Sequence, residues 1–369
     1  MQKLFRKELW KDITIMVILL GITFFRYTTF KEIDVLRYLN YLLIWITSAY
    51  GLVYTLFNCK TNKERKWLFV IYSISLVFMY LKDCLDVYIY LLVAAIFLEN
   101  REKFLKTYFI ALVIFIFLAG VFYFLKLIPA KDVLRGEINR YSLGFVNPNT
   151  GFRYFFGSLI ALYMIDKKKT IFNIYAIGMA IPLYIATNCR TGLICVMAFV
   201  VLANLAIIFE KVFKKISLKY AFLFISLFSV IFTVLFYDSE WFNLTLSNRP
   251  KFWYELIMNA KWHLAYGNMT FLYCDNRVIY MLIRNGFLSL IITNAFYYLV
   301  FRKETNVELK VVFVMGLIYG LTENFRSLGQ TIVPLLCMWS FYDNYIKNKE
   351  TKDDKNVQIF TKDDNKQEC

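Results

Sequence analysis

Apolar residues in this chain come in long unbroken runs, with the polar residues gathered between them. About 20 apolar residues cross a bilayer, and buried spans can be shorter. On that measure roughly twelve spans are predicted, near 12–30, 37–57, 67–81, 86–98, 104–125, 151–165, 170–186, 191–209, 219–237, 278–301, 309–322 and 330–346. Barrel strands would alternate apolar and polar positions, so unbroken runs predict helices. The expected class is an all-α polytopic membrane protein. The first run follows the basic stretch KLFRKELWK, as a signal peptide would, but no small-residue cleavage site comes after it. It is read as an uncleaved first span.

Composition agrees with the pattern. Of 369 residues, 59% are hydrophobic and only 19% charged, which is too apolar for a soluble domain of this length. A formal net charge of +16 would raise the question of nucleic acid in a soluble protein. Here the excess is explained by loops facing anionic lipid, and no nucleic-acid partner is implied. The basic clusters at Lys3/Arg6/Lys7/Lys11, Lys60/Lys63/Arg65/Lys66, Arg101/Lys103/Lys106, Lys167/Lys168/Lys169, Lys211/Lys214/Lys215/Lys219 and Arg302/Lys303/Lys310 occupy alternate loops. With twelve spans they share one side, expected to be cytoplasmic, and both termini join them. Residues 1–346 are then the membrane domain. The tail at 347–369, with TKDDKN followed by TKDDNK, has too few apolar residues to fold alone and is expected to be disordered. Seven scattered cysteines without a CxxC pair indicate neither a zinc site nor a disulfide framework.

Two loops on the opposite side are long, 126–150 and the larger 237–277. That outer surface is rich in arginine: Arg135, Arg140, Arg153, Arg190, Arg249, Arg277, Arg284 and Arg326. Positive-inside bias predicts neither outward cations nor this choice of arginine over lysine. A guanidinium grips phosphate or carboxylate with two bonds, so the set points to an anionic ligand.

Four stretches on this side carry candidate chemistry. In YSLGFVNPNTGFR (141–153), Asn147 and Pro148 form a helix start with Asn149 and Arg153 close by, a possible anion seat. In TNCRTG (187–192), Arg190 sits at the tip of a tight turn between two apolar runs. In SNRPKFWYELIMNAKW, a cap-like Asn248 precedes an amphipathic helix whose face of Trp253, Leu256, Ile257 and Ala260 suits a membrane surface. In CDNRVIYMLIRNGFLSLII, Asp275 and Asn276 stand at a helix mouth. Arg277 and Arg284 share one face there, with Arg284 about two turns into an apolar run, where a charge usually meets a polar cavity. Glu323 and Arg326 in TENFRSLG add a further outer polar pair. His263 has no second histidine near it, so metal binding is not indicated, nor is a cofactor.

Taken in order, GFVNPNTGF, TNCRTG, NRPKFW and DNRVIYMLIRNGFLSLI resemble the O-antigen ligase and Wzy-type polysaccharide polymerase superfamily over roughly residues 140–325. The resemblance implies a metal-independent membrane glycosyltransferase of GT-C type in the bacterial cell membrane. It would join oligosaccharide repeat units carried on undecaprenyl diphosphate into capsular, exo- or O-antigen polysaccharide. Partners implied are membrane lipids, a chain-length regulator and a flippase. The resemblance assigns Arg190 and Arg249 to the diphosphate, with Arg153 and Arg284 as further candidates. Asn147, Asn149, Asn276, Arg277, Glu323 and Arg326 would line the substrate cavity. Where the ligase branch has a histidine taken as the base, this chain has Asp275, which is either the base or a positioner of the arginines. That departure favours polymerase over ligase. Two rivals remain: a metal-dependent glycosyltransferase built on Glu32 and Asp34, and a transporter or flippase with a similar number of spans.

Overall fold

The computed structural model describes residues 2–58, 93–94, 97–98, 100–135, 138–268, 274–324 and 328–347. The described residues are 77% helical. The expected spans at 67–81 and most of 86–98, the tail beyond residue 347, and Arg326 lie outside the described residues.

The helices follow the apolar runs. They are α1 (Gln2–Tyr27), α2 (Asp34–Asn58), α3 (Arg101–Phe124), α4 (Pro148–Ile165), α5 (Thr170–Thr187), α6 (Arg190–Ile208), α7 (Glu210–Lys215) and α8 (Ala221–Phe236). Next come α9 (Glu240–Thr245), α10 (Arg249–Ala260), α11 (His263–Tyr266), α12 (Arg277–Asn285), α13 (Phe287–Lys303), α14 (Val307–Gly320) and α15 (Val333–Tyr342). A short antiparallel ribbon, β1 (Val133–Arg135) with β2 (Ile138–Arg140), lies in the loop after α3 and departs from the all-α expectation.

Among the described residues three helices, α3, α5 and α6, are long and apolar enough to cross a membrane. Their outward faces are apolar too. On α5 the isoleucines 171, 174, 177, 181 and 185 are exposed at helical spacing, and α8 exposes Leu223, Phe224, Leu227, Phe228, Ile231, Val234 and Leu235. Stripes of this size suit hydrocarbon rather than water.

The core surrounds α4, whose side chains are buried along most of its length. Tyr154 donates to the carbonyl of Thr23 on α1 at 2.7 Å, and Phe156 meets Tyr319 of α14 edge-on at 4.8 Å between ring centres. Farther along, Tyr163, Phe172 and Phe199 join α4, α5 and α6 in one aromatic cluster.

The connections sort to two ends. At one end Lys169 Nζ pairs with Glu308 at 2.6 Å, and Arg101 grips Asp343 with two bonds of 2.5 and 2.8 Å. At the same end Lys310 Nζ donates to the carbonyls of Phe213, Lys214 and Ile216 at 3.2, 2.9 and 2.8 Å. These are two carbonyls from the last turn of α7 and that of its C-cap, Ile216, which the helix itself leaves unpaired. The other end gathers the connections after α3, α5 and α14 with the island between α8 and α13.

Three expectations are corrected there. The run 278–301 is not one span, because it breaks at Gly286 between α12 and α13. Gly286 has φ +83°, and a Cβ there would lie 2.7 Å from the carbonyl oxygen of Ala265. The apolar face of α10 also meets protein rather than lipid. Trp253 and Ala260 pack with Cys274, Ile279, Tyr280 and Ile283, so α12 covers that face. The cap differs as well: Asn248 makes no side-chain cap, and Asn243 Oδ1 instead accepts from Lys251 N at 3.2 Å.

Gly286→Ala should lower the unfolding free energy by about 1–3 kcal/mol, the usual cost of forcing a side chain into such a backbone. Thermal unfolding of the purified protein in detergent measures it.

Candidate functional site: a buried arginine–carboxylate centre

Each predicted residue of the centre is delivered by a short local device. Asn147 caps α4, its Oδ1 accepting from Asn149 N at 2.9 Å and Thr150 N at 3.1 Å. Proline at the first helical position needs no N–H there. The helix therefore starts where Asn149 and Arg153, one turn apart, both face the end of the bundle. Asn276 caps α12 in the same way, accepting from Val278 N and Ile279 N at 2.9 and 3.1 Å. That fixes its neighbour Asp275 at the helix mouth. Both asparagines are therefore scaffold, and neither offers that oxygen to a ligand.

Glu323 lies at the middle, 1% exposed, just beyond α14. Its Oε1 accepts from Asn149 Nδ2 at 2.7 Å. Arg153 Nε stands 3.8 Å from Oε2, and Arg249 Nη2 stands 3.8 Å from Oε1. Arg153 is itself buried, donating to the carbonyl of Asn324 at 3.0 Å and to Thr150 Oγ1 at 2.7 Å. Its Nε has no hydrogen-bond acceptor.

Arg249, at the first position of α10, directs Nε onto Asp275 Oδ2 at 2.5 Å. The other carboxylate oxygen, Oδ1, accepts from Trp253 Nε1 at 2.6 Å. With both oxygens engaged and the residue 8% exposed, Asp275 has the geometry of a group that aims Arg249. Asn324 Nδ2 donates to the Cys274 carbonyl at 3.1 Å, tying the Glu323 turn to the mouth of α12.

A third arginine joins the centre that the sequence reading did not place among the site residues. Arg140, at the end of β2, donates to Asn149 Oδ1 at 2.5 Å and to the carbonyl of Thr187 at 2.9 Å. It thereby ties the α5–α6 turn to the centre. Arg190, in that turn, is exposed and makes no ion pair among the described residues. Its position is fixed by Gly192, in the first turn of α6, which packs against the Phe152 ring with no room for a Cβ. Cys189 beside it is buried, and burial pushes its thiol up to about 12, with the Glu323 charge adding to the rise. No family model, curated protein or solved structure matches the chain.

The structure leaves two predicted residues out of the centre. Arg284 stands in the last turn of α12, over the Tyr280 ring at 5.8 Å. At the helical rise it lies about 12 Å along the axis from the Asn276 cap. Arg277 turns instead towards a small cavity between α8, α13, α14 and α15, lined by Tyr297, Phe313, Gly316 and Gly320. The acidic pair of the rival metal reading is not convergent: Glu32 meets Lys131 at 3.1 Å and Asp34 meets Arg37 at 2.8 Å. Among the described residues no three His, Cys, Asp or Glu side chains come together as metal ligands.

Chemically, among the described residues, the centre sets three guanidiniums, from Arg140, Arg153 and Arg249, beside two carboxylates, Asp275 and Glu323, with Arg190 next to it. The surplus is cationic. Burial holds the Glu323 carboxyl above its ordinary range; Arg153 and Arg249 pull it back, and the Asp275 charge adds to the rise. A carboxyl raised in the folded state binds its proton more tightly there than in the unfolded chain. Its contribution to stability is full below the ordinary value of 4.5 and is lost as pH rises through the raised folded value. Glu323→Gln should flatten that fall in a plot of Tm against pH. Glu323→Ala, which leaves buried Arg153 without a counter-charge, should cost about 3–5 kcal/mol.

Proposed function

We propose that the arginine centre is the diphosphate site of a polysaccharide polymerase acting on undecaprenyl-diphosphate-linked repeat units. The single observation that carries this reading is a cluster at one end of an apolar helical bundle: Arg153 and Arg249 face Glu323, Asp275 holds Arg249, and Arg140 bonds the same Asn149 that bonds Glu323, with Arg190 beside them. The sequence resemblance over residues 140–325 supplies the class of substrate. In this reading the protein spans a bacterial cell membrane several times, with the arginine end outward.

The reaction follows from charge. A sugar hydroxyl on one repeat unit attacks the anomeric carbon of the growing chain. The bond to the diphosphate breaks, and the diphosphate leaves with the electron pair. Guanidiniums fixed in a poorly hydrated site stabilise that developing charge more than water would. The diphosphate competes with Asp275 for Arg249. Once it holds that guanidinium, Asp275 has an oxygen released to take the hydroxyl proton, so one residue first positions and then accepts. Glu323 stays buried throughout as the fixed counter-charge that holds Arg153 and Arg249 apart. Asp275, where the ligase branch has histidine, favours polymerase over ligase.

Expressed in a strain that lacks its own copy, Arg249→Ala and Arg190→Ala should each abolish long polymer while membrane protein level stays normal. Asp275→Asn should lower the rate at least about 100-fold, the range expected of a lost acid–base group. Full-length polymer from either arginine variant would overturn the site assignment.

A further inference from the structure

A second cavity lies at the same end of the molecule, outside the arginine centre. It has a volume of about 890 Å³ and sits between the last turns of α3 and α5, beneath the loop that carries the β-ribbon. Phe124, Ile128, Leu143, Pro182, Ile185 and Ala186 make its walls apolar. Volumes of about 300–1,000 Å³ hold ligands with most of their surface buried. Both flanking helices are of membrane-spanning length, so the cavity opens beside their outward apolar faces. Pro182 cannot donate to the carbonyl one turn back, so α5 lacks a backbone hydrogen bond at the cavity wall.

The rim is polar and its charges are unequally committed. Asp132 is fully used, accepting from Tyr123 Oη at 2.7 Å and from Ser142 N at 2.7 Å. Lys126 is exposed, held at φ +56°, and makes no ion pair among the described residues. Tyr123 and Tyr141 stand at the same rim, as tyrosines do at the level of lipid headgroups. The Arg140 guanidinium turns away to Thr187 and Asn149 and Lys131 pairs with Glu32, so among the described residues at this rim the cation without an ion pair is Lys126.

We propose that the cavity holds one acyl chain of an anionic phospholipid from the surrounding bilayer, with its phosphate on Lys126 and the Tyr141 hydroxyl. The apolar volume selects a hydrocarbon chain, and the uncommitted lysine selects a negative head. The occupant is a resident lipid, separate from the diphosphate site, and it props the loop whose Arg140 braces the arginine centre. The inference does not depend on the polymerase reading, because lipid retention is measured without any polymer assay.

The test uses the full chain in nanodiscs of mixed phosphatidylglycerol and phosphatidylcholine, released for native mass spectrometry. Wild-type protein should retain one phosphatidylglycerol in preference to phosphatidylcholine. Lys126→Gln, an exposed change that leaves the core intact, should weaken retention about five-fold, the size of one lysine contact to an anionic surface. Ala186→Trp, which fills the cavity, should abolish retention. Equal retention of both lipids, or undiminished retention by both variants, would overturn the proposal. So would displacement of phosphatidylglycerol by equimolar undecaprenyl diphosphate, which would give the cavity to a lipid-linked substrate instead.

Discussion

A carboxylate with almost no access to water needs cations or polar partners around it, and Glu323 is such a group. Its partners come from separate parts of the chain: Asn149 and Arg153 from the start of α4, and Arg249 from the start of α10. Asp275 and Trp253 hold Arg249, while Arg140 holds Asn149 and the turn at Thr187. Five connections at one end of the bundle are therefore fixed relative to one another by a single buried charge. Well-packed apolar side chains would stabilise such a junction at least as well as buried ions do. The cluster is better understood as a site kept polar for use.

The opposite end uses charge differently. Lys310 satisfies carbonyls at the end of α7, and Lys169 joins the turn after α4 to Glu308 at the start of α14. These lysines are consumed by the scaffold. In the arginine centre the guanidiniums outnumber the carboxylates among the described residues, and Arg190 stays exposed. Planar, multidentate guanidinium suits a site that must accept an anion and later release it.

Much of the helical layout was legible in the sequence, because unbroken apolar runs leave little choice of structure. The start of α4 was legible too, since Asn147-Pro148 is a local signal that depends on nothing distant. Other features were not. Gly286 reads as one small residue in an apolar run, and only the backbone of Ala265 and Tyr266 beside it shows why the helix must break there. The face of α10 reads as a surface for lipid because the sequence cannot reveal that α12 covers it. Arg140 was visible as one of several outward arginines, but its bonds to Asn149 and Thr187 join residues distant in the chain. Arg284 illustrates the converse: helical spacing puts it on a face with Arg277, yet the length of α12 carries it away from Asp275.

In the proposed function this end of the molecule holds a lipid-linked diphosphate while its sugar is transferred. The most direct measurement is a reaction of purified protein in liposomes with undecaprenyl-diphosphate-linked repeat units and excess chelator. Polymer length and free undecaprenyl diphosphate would be followed together. The account predicts one undecaprenyl diphosphate released for every linkage formed, undiminished by the chelator. Absence of both products from folded protein, or polymer growth that stops when divalent metal is removed, would contradict it.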